Sequence, residues 1–152
     1  ITFPENTKIG QLCPIAVSKP LIEVIGRQDT GKGIYWMGVV GLSEPFLYVK
    51  PFRALSAGQK YRAMLARLLT RGANLWLIDE FCENLDLVNT HLLSHKVATL
   101  ARRVGATVVV ASSDASRFVR ALCPDRVLIL KGTTDADGYE ILSTDRFIAH
   151  FD

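Results

Sequence analysis

Apolar positions in this chain change period several times, and each change marks an element. From Lys60 to Arg71, the residues Tyr61, Met64, Leu65, Leu68 and Leu69 recur at helical spacing while Lys60, Arg62, Arg67 and Arg71 fall elsewhere, which predicts an amphipathic helix. Ser56 stands where it can cap that helix, with Gln59 completing a capping box. Leu87 to Val104 carries a second stripe, formed by Val88, Leu92, Val97, Leu100, Ala101 and Val104, and Gly105 closes it. Ile34 to Leu42 is apolar nearly all round and reads as a buried helix. Pro20 suits the first turn of a helix beginning at Leu21, and Ala115 to Leu122 and Ser143 to Phe151 add two more.

Short continuous apolar runs predict the strands: Ile9 to Leu12, Leu75 to Ile78, Thr107 to Ala111, Asp125 to Leu130 and Tyr139 to Leu142. The β-branched run from Thr107 is expected to be a fully buried parallel strand, and a polar hairpin over Gly132 to Gly138 joins the last two. Strands alternating with helices imply an α/β fold with a parallel sheet and right-handed crossovers.

At 152 residues the chain is the size of one domain, and 49% hydrophobic with 22% charged residues is a globular composition. A net charge of +3 permits a nucleic-acid or anionic-lipid surface, but nucleotide phosphates suffice to explain it. Cys13, Cys82 and Cys123 have neither metal-ligand spacing nor the density of a disulfide framework, which points to free thiols in a reducing, cytoplasmic compartment. No apolar run is long enough to span a bilayer, so direct membrane insertion is not expected. Ile1 in place of an initiating Met predicts a fragment or processed product.

The chemistry concentrates between Leu55 and Asp86. Leu75 to Ile78 ends in the adjacent carboxylates Asp79 and Glu80, and ionised groups at the end of an apolar strand call for a cation or a reacting water as partner. Ahead of them, the capped helix start would turn its first amides toward an anion. A purely structural strand cap is the competing reading of Asp79 and Glu80.

In order and interval these elements resemble the second half of an ATP-binding-cassette (ABC-type) ATPase domain. Leu55-Ser56-Ala57-Gly58-Gln59 is similar to its signature sequence, Leu75 to Asp79 to its Walker B strand, Glu80 to its catalytic carboxylate and Glu83-Asn84-Leu85-Asp86 to its D-loop. The resemblance implies a P-loop NTPase-like parallel sheet flanked by helices, as a single partial domain over 1–152. Within it, residues 15–54 would be part of the ABC helical subdomain and 55–152 the signature helix and Walker B sheet core. It implies ATP and Mg2+ as ligands, with Asp79 on the metal through water and Glu80 polarising the attacking water. Ser56 and the amides of Ala57, Gly58 and Gln59 would hold the γ-phosphate across a dimer interface, and Asp86 would couple the two sites.

Some positions depart from the family. Ser113 aligns with a switch histidine that holds the γ-phosphate and water, yet serine carries no charge at neutral pH. Pro14 stands where the Q-loop glutamine is expected, leaving Gln11 as the displaced candidate ligand or as a solvated strand residue. Gly26-Arg27-Gln28-Asp29-Thr30-Gly31-Lys32-Gly33 imitates P-loop spacing, but Gly33 replaces the hydroxyl residue and Glu23 interrupts the run before it, so a helical-subdomain turn is expected. His91 and His95 lie one helical turn apart with no third ligand, which suggests surface histidines. Arg62 matches an arginine that supports the signature turn. Tyr35, Trp36, Phe46, Tyr48 and Phe52 read as core packing before interface.

The expected partner is a second ABC-type protomer or a P-loop-bearing segment, with a DNA-acting or fused enzymatic domain as a further possibility. Three functions are open: part of a soluble ABC-type ATPase, the ATPase subunit of a transporter, or an inactive ABC-like interaction module. Ser113 and Pro14 favour the first and third, and the isolated chain is expected not to hydrolyse ATP.

Overall fold

Asn74 makes the link that sets the sheet: its side-chain oxygen accepts from the Lys8 amide at 2.7 Å, and its side-chain nitrogen donates to the Asn6 carbonyl at 3.1 Å. One residue therefore holds the first strand beside the strand that carries the acidic pair. The computed structural model describes residues 4–16, 18–131 and 138–151. In chain order it contains β1 (Ile9–Gln11), α1 (Leu21–Gly26), α2 (Thr30–Val39), α3 (Pro45–Tyr48), α4 (Ala57–Leu69), β2 (Leu75–Ile78) and α5 (Leu87–Val104). There follow β3 (Thr107–Val110), α6 (Val119–Leu122), β4 (Val127–Leu130), β5 (Tyr139–Leu142) and α7 (Thr144–Phe151), with 3-10 turns at Phe52–Ala54 and Ala115–Arg117.

The fold is α/β, and β2 is the middle of a parallel sheet of order β1-β2-β3. Its register places Gly10 opposite Trp76, Gln11 opposite Leu77 and Val109 opposite Leu77 on the other side. A Cβ on Gly10 would lie 2.5 Å from Leu68 Cδ1 and 2.9 Å from Ala73 Cβ, so a glycine there lets α4 seat directly on the sheet. Leu65, Leu68, Trp76, Ile78 and Phe81 then join Leu21, Met37, Leu42 and Leu47 in one contiguous apolar cluster.

Several expectations need correction. The run at Thr107 is not fully buried: β3 is an edge strand among the described residues, Thr107 and Val109 are exposed, and only Val108 and Val110 turn toward the core. On α5 the buried seam is Thr90, Leu93, Ser94, Val97, Ala98 and Ala101, whereas Val88, Leu92 and Val104 are exposed. Val97 and Ala101 of the expected stripe are in that seam, but Thr90, Ser94 and Ala98 are too, with Ser94 Oγ donating back to the Thr90 carbonyl at 2.7 Å, and an apolar count passes over them. The Ile34 to Leu42 segment buries Met37, Val40 and Leu42 but leaves Ile34 and Tyr35 exposed, and Phe46 is exposed as well. β4 and β5 pair antiparallel with each other, in keeping with the hairpin expected over Gly132 to Gly138, of which residues 132–137 lie outside the described residues.

The P-loop-like stretch joins helix to helix. α1 ends at Gly26, Arg27 adopts φ 56°, and Asp29 caps α2 by accepting from the Lys32 amide at 3.0 Å. Lys32 Nζ lies 3.7 Å from the same carboxylate, so the lysine of the apparent motif serves its own helix cap. His91 and His95 are exposed, and among the described residues no cluster of three or more His, Cys, Asp or Glu side chains gathers around them or elsewhere.

Replacing Gly10 with alanine is expected to cost about 1–3 kcal/mol, because the added methyl must push Leu68 and Ala73 off the sheet. Urea denaturation of Gly10→Ala checks this, and an unchanged midpoint would show that α4 is not seated by that contact.

Candidate functional site

Two chain turns meet at the end of the sheet where β1 and β2 finish. The first is the start of α4, whose Ser56 Oγ accepts from the Gln59 amide at 3.3 Å while Gln59 Oε1 accepts from the Ser56 amide at 3.0 Å. The capping box read from sequence is thus present. It engages the Gln59 amide, so the first-turn amides of Ala57 and Gly58, which lie before the helix's own hydrogen bonds begin, are the donors directed outward. Leu55 is buried and anchors the tip, while Ser56 and Ala57 are exposed.

The second turn runs from Asp79 to Asp86. Asp79 and Glu80 are exposed, and Asp79 Oδ1 accepts from the Glu80 amide at 3.0 Å. Glu80 and Cys82 both take left-handed backbone angles, with φ 49° and 61°. Such residues each cost on the order of 1–3 kcal/mol and persist only where neighbours fix them. Here the neighbours are specific. Phe81 is buried edge-on against Phe118 at a centroid distance of 4.9 Å, and its amide donates to the Ala111 carbonyl at 2.9 Å. The Cys82 amide donates to the buried Tyr61 hydroxyl at 3.0 Å, and Arg117 Nη2 donates to the Leu85 carbonyl at 2.5 Å.

The two turns touch at Gly58. A Cβ there would lie 3.2 Å from the Asn84 carbonyl oxygen and 3.3 Å from Leu85 Cδ2, so the α4 tip packs against the acidic turn. Arg62 braces the tip from behind, Nε to the Gly58 carbonyl at 3.3 Å and Nη1 to the Gly41 carbonyl at 2.8 Å. Ser113, beyond β3, reaches the same turn: its Oγ and amide lie 3.3 and 3.4 Å from Glu83 Oε1. Gln11 is exposed at the end of β1, in register with Leu77 and on the sheet end from which Asp79 emerges.

Asp86 caps α5, with Oδ1 accepting from the Asn89 amide at 2.9 Å and Oδ2 from the Asn89 side chain at 2.6 Å. Those bonds hold its carboxyl below the usual carboxylate range. Burial pushes the Cys82 thiol up to about 11, against the opposing pull of Ser94, Tyr61 and Arg117. Burial, followed by the Cys82 sulfur beside it, likewise raises Tyr61, which stays a neutral phenol.

The donor set suits one ion in particular. Two exposed carboxylates at a strand end are the hard oxygen donors that a magnesium ion accepts, and Asp79 and Glu80 are the residues that would hold one. The α4 tip fits the anion itself. Sequence reasoning does not find Tyr61 and Arg117 as supports of the turn, and it names Glu83 only within the D-loop-like stretch, without its contact to Ser113. Tyr61 was read only as one position of an apolar face, although a buried phenol needs a hydrogen-bond partner and so signals a polar contact.

An open parallel sheet with an acidic strand end and a capped helix tip at its carboxyl edge is an α/β arrangement of the P-loop NTPase fold. The chain is 34% identical over 100 residues to the multiple sugar-binding transport ATP-binding protein MsmK of Streptococcus mutans, covering 66% of this chain and 26% of that protein. It is 26% identical over 146 residues to the phosphonates import ATP-binding protein PhnC 1 of Nostoc, covering 96% of this chain and 54% of the relative. Among solved structures, RNase-L inhibitor superposes with a TM-score of 0.73 at 19% identity over 98% of this chain and 31% of that one. A bacterial ABC transporter cassette solved as a dimer gives 0.68 at 22% identity, covering 80% of this chain and 58% of that one. No family model matches the chain.

Its relatives are ABC transporter ATP-binding proteins, which it matches over the later part of their cassette, and the solved structures it superposes on are ABC ATPase cassettes. It spans about a quarter of the sugar-transport relative and about half of the phosphonate relative.

The thiols report on how tightly the turn is held. Native protein at pH 8 is expected to lose Cys123 to iodoacetamide first, because that thiol is exposed. Cys82 should react at least about 100-fold more slowly until denaturant is added, since two units of pKa remove that share of thiolate. Equal labelling of both in the native state would contradict the packing of the turn.

Proposed function

We propose that this chain supplies the signature and Walker B lobe of an ABC-type ATPase that energises a transporter. The observation that carries the reading is the contact of Gly58 with Asn84 and Leu85, which sets the anion-binding helix tip beside the acidic turn. Relatives named for sugar, phosphonates and zinc transport favour the transporter subunit over a soluble role, although Ser113 and Pro14 had weighed the other way. A DNA-acting or fused enzymatic partner draws no support from them. No described helix is long and apolar enough to cross a membrane.

In this reading Asp79 would hold magnesium through water, and the ion would supply charge neutralisation on the phosphates when bound. Glu80 takes the proton of the attacking water. Ser56 with the Ala57 and Gly58 amides holds the γ-phosphate oxygens, in the arrangement where a second protomer contributes the nucleotide. Residues 55–152 act as the catalytic lobe and 15–54 as part of the helical subdomain. Because residues 26–33 form a helix cap, the grip on the other phosphates comes from a P-loop-bearing segment outside these elements. Gln11 stands at the strand end as a water-bridged contact, and Asp86 sets the start of α5 at the interface.

A second reading, an ABC-like module that binds nucleotide but turns it over slowly, is favoured by Ser113. Its hydroxyl has one hydrogen, and Glu83 is within reach of it.

Glu80→Gln in the protein that carries this chain is expected to lower ATP hydrolysis by about 10²–10⁴-fold while ATP stays bound. Steady-state turnover together with nucleotide retention measures both. Unchanged turnover would remove Glu80 from the reaction, and retention of ATP by wild type with no turnover would select the slow module.

A further inference from the structure

We propose that Tyr61 is a positioning residue for hydrolysis, fixing through the Cys82 amide the turn that carries Glu80 and thereby linking that carboxylate to the seating of the α4 tip. The inference rests on the role given above to Glu80 and the signature tip. It starts from the backbone. Between β2 and α5 the chain passes through two left-handed residues that are not glycine, Glu80 and Cys82, with the buried Phe81 between them.

Each flank of that turn is tied to its own neighbourhood. The Phe81 amide goes to Ala111, the Glu83 amide to the Glu80 carbonyl at 3.2 Å, and the Leu85 amide to the Cys82 carbonyl at 3.1 Å. The Cys82 amide goes instead to a side chain on another element, the Tyr61 hydroxyl at 3.0 Å. Tyr61 and Cys82 are both buried, so water does not replace a lost acceptor, and an unpaired amide there drives the turn out of its left-handed geometry.

Tyr61 also stands in the first turns of α4, shortly after the Ser56–Gln59 capping box and beside Arg62, which braces Gly58. The path from Ser56 to Glu80 is therefore a short rigid one: helix tip, Tyr61 ring, Cys82 amide, acidic turn. A shift of the tip when it engages a phosphate moves the phenol, and the phenol carries the amide with it. In a two-protomer arrangement this couples the nucleotide sensed by the tip to the carboxylate acting on the other nucleotide.

Tyr61→Phe removes the hydroxyl and keeps the ring. Hydrogen exchange on the 152-residue chain should show the Cys82 amide exchanging at least about tenfold faster, with the amides of the β2–β3 ladder unchanged. In the ATPase that carries the chain, kcat should fall by about tenfold or more with KM for ATP held within about twofold. Val97→Ala, a core truncation on α5 outside the 79–86 turn that leaves the Tyr61 hydroxyl in place, serves as the stability control and should leave the Cys82 amide protected.

Uniform acceleration of exchange, an unchanged Cys82 amide, or an equal fall of kcat in Val97→Ala would overturn the proposal. Glu80→Gln in parallel separates the two claims. A dead Glu80→Gln beside a fully active Tyr61→Phe removes only the role of Tyr61, whereas an active Glu80→Gln removes the reading beneath it.

Discussion

The structure depends on holding an acidic turn in a backbone shape that its residues do not favour. Glu80 and Cys82 are left-handed without being glycine, at a combined cost of a few kcal/mol. The surroundings offset it with a buried aromatic pair, a buried phenol that accepts an amide hydrogen, and a guanidinium on the Leu85 carbonyl. All of these lie beneath or behind the turn, so its outer side keeps Asp79 and Glu80 exposed to reactants. A left-handed backbone at Glu80, next to the exposed Asp79, is the feature on which the role proposed for that carboxylate rests.

Helix α4 is the second half of the same construction. Its inner face rests on the sheet because Gly10 has no side chain to hold it off, and its start is closed by the Ser56–Gln59 box. Arg62 then joins the helix to the Gly41 carbonyl, at the end of the segment that contains α1 and α2. The helix tip is thereby fixed from the sheet, from the preceding helices and from the acidic turn together. Anion binding at a helix start needs such a fixed tip, because amides that swing with the chain offer no preorganised field.

Much of this was legible in the residues. The capping box, the apolar strand ending in carboxylates and the alternation of strands with helices each have a local cause, and local causes survive folding. The stripe on α5 is right at Val97 and Ala101 and wrong at Val88, Leu92 and Val104, because Thr90, Ser94 and Ala98 share the buried seam with Leu93 and small or polar residues do not register in an apolar count. Burial of β3 was overestimated because a β-branched run shows strand propensity but not how many neighbours the strand has. Tyr61 escaped notice since its partner is a backbone amide on another element, a pairing that only the three-dimensional arrangement reveals. Ser113 could be placed in the chain but not its contact with Glu83, for the same reason.

The central claim is that the α4 tip of one protomer and the acidic turn of its partner close on the same nucleotide. The most direct measurement is a crystal structure of the Glu80→Gln form of the protein that carries this chain, grown with ATP and magnesium. The account predicts a γ-phosphate about 3 Å from Ser56 and the Ala57 or Gly58 amide of one protomer, with Asp79 on a water of the metal. Nucleotide bound elsewhere, with Ser56 and Asp79 both facing bulk solvent, would contradict it.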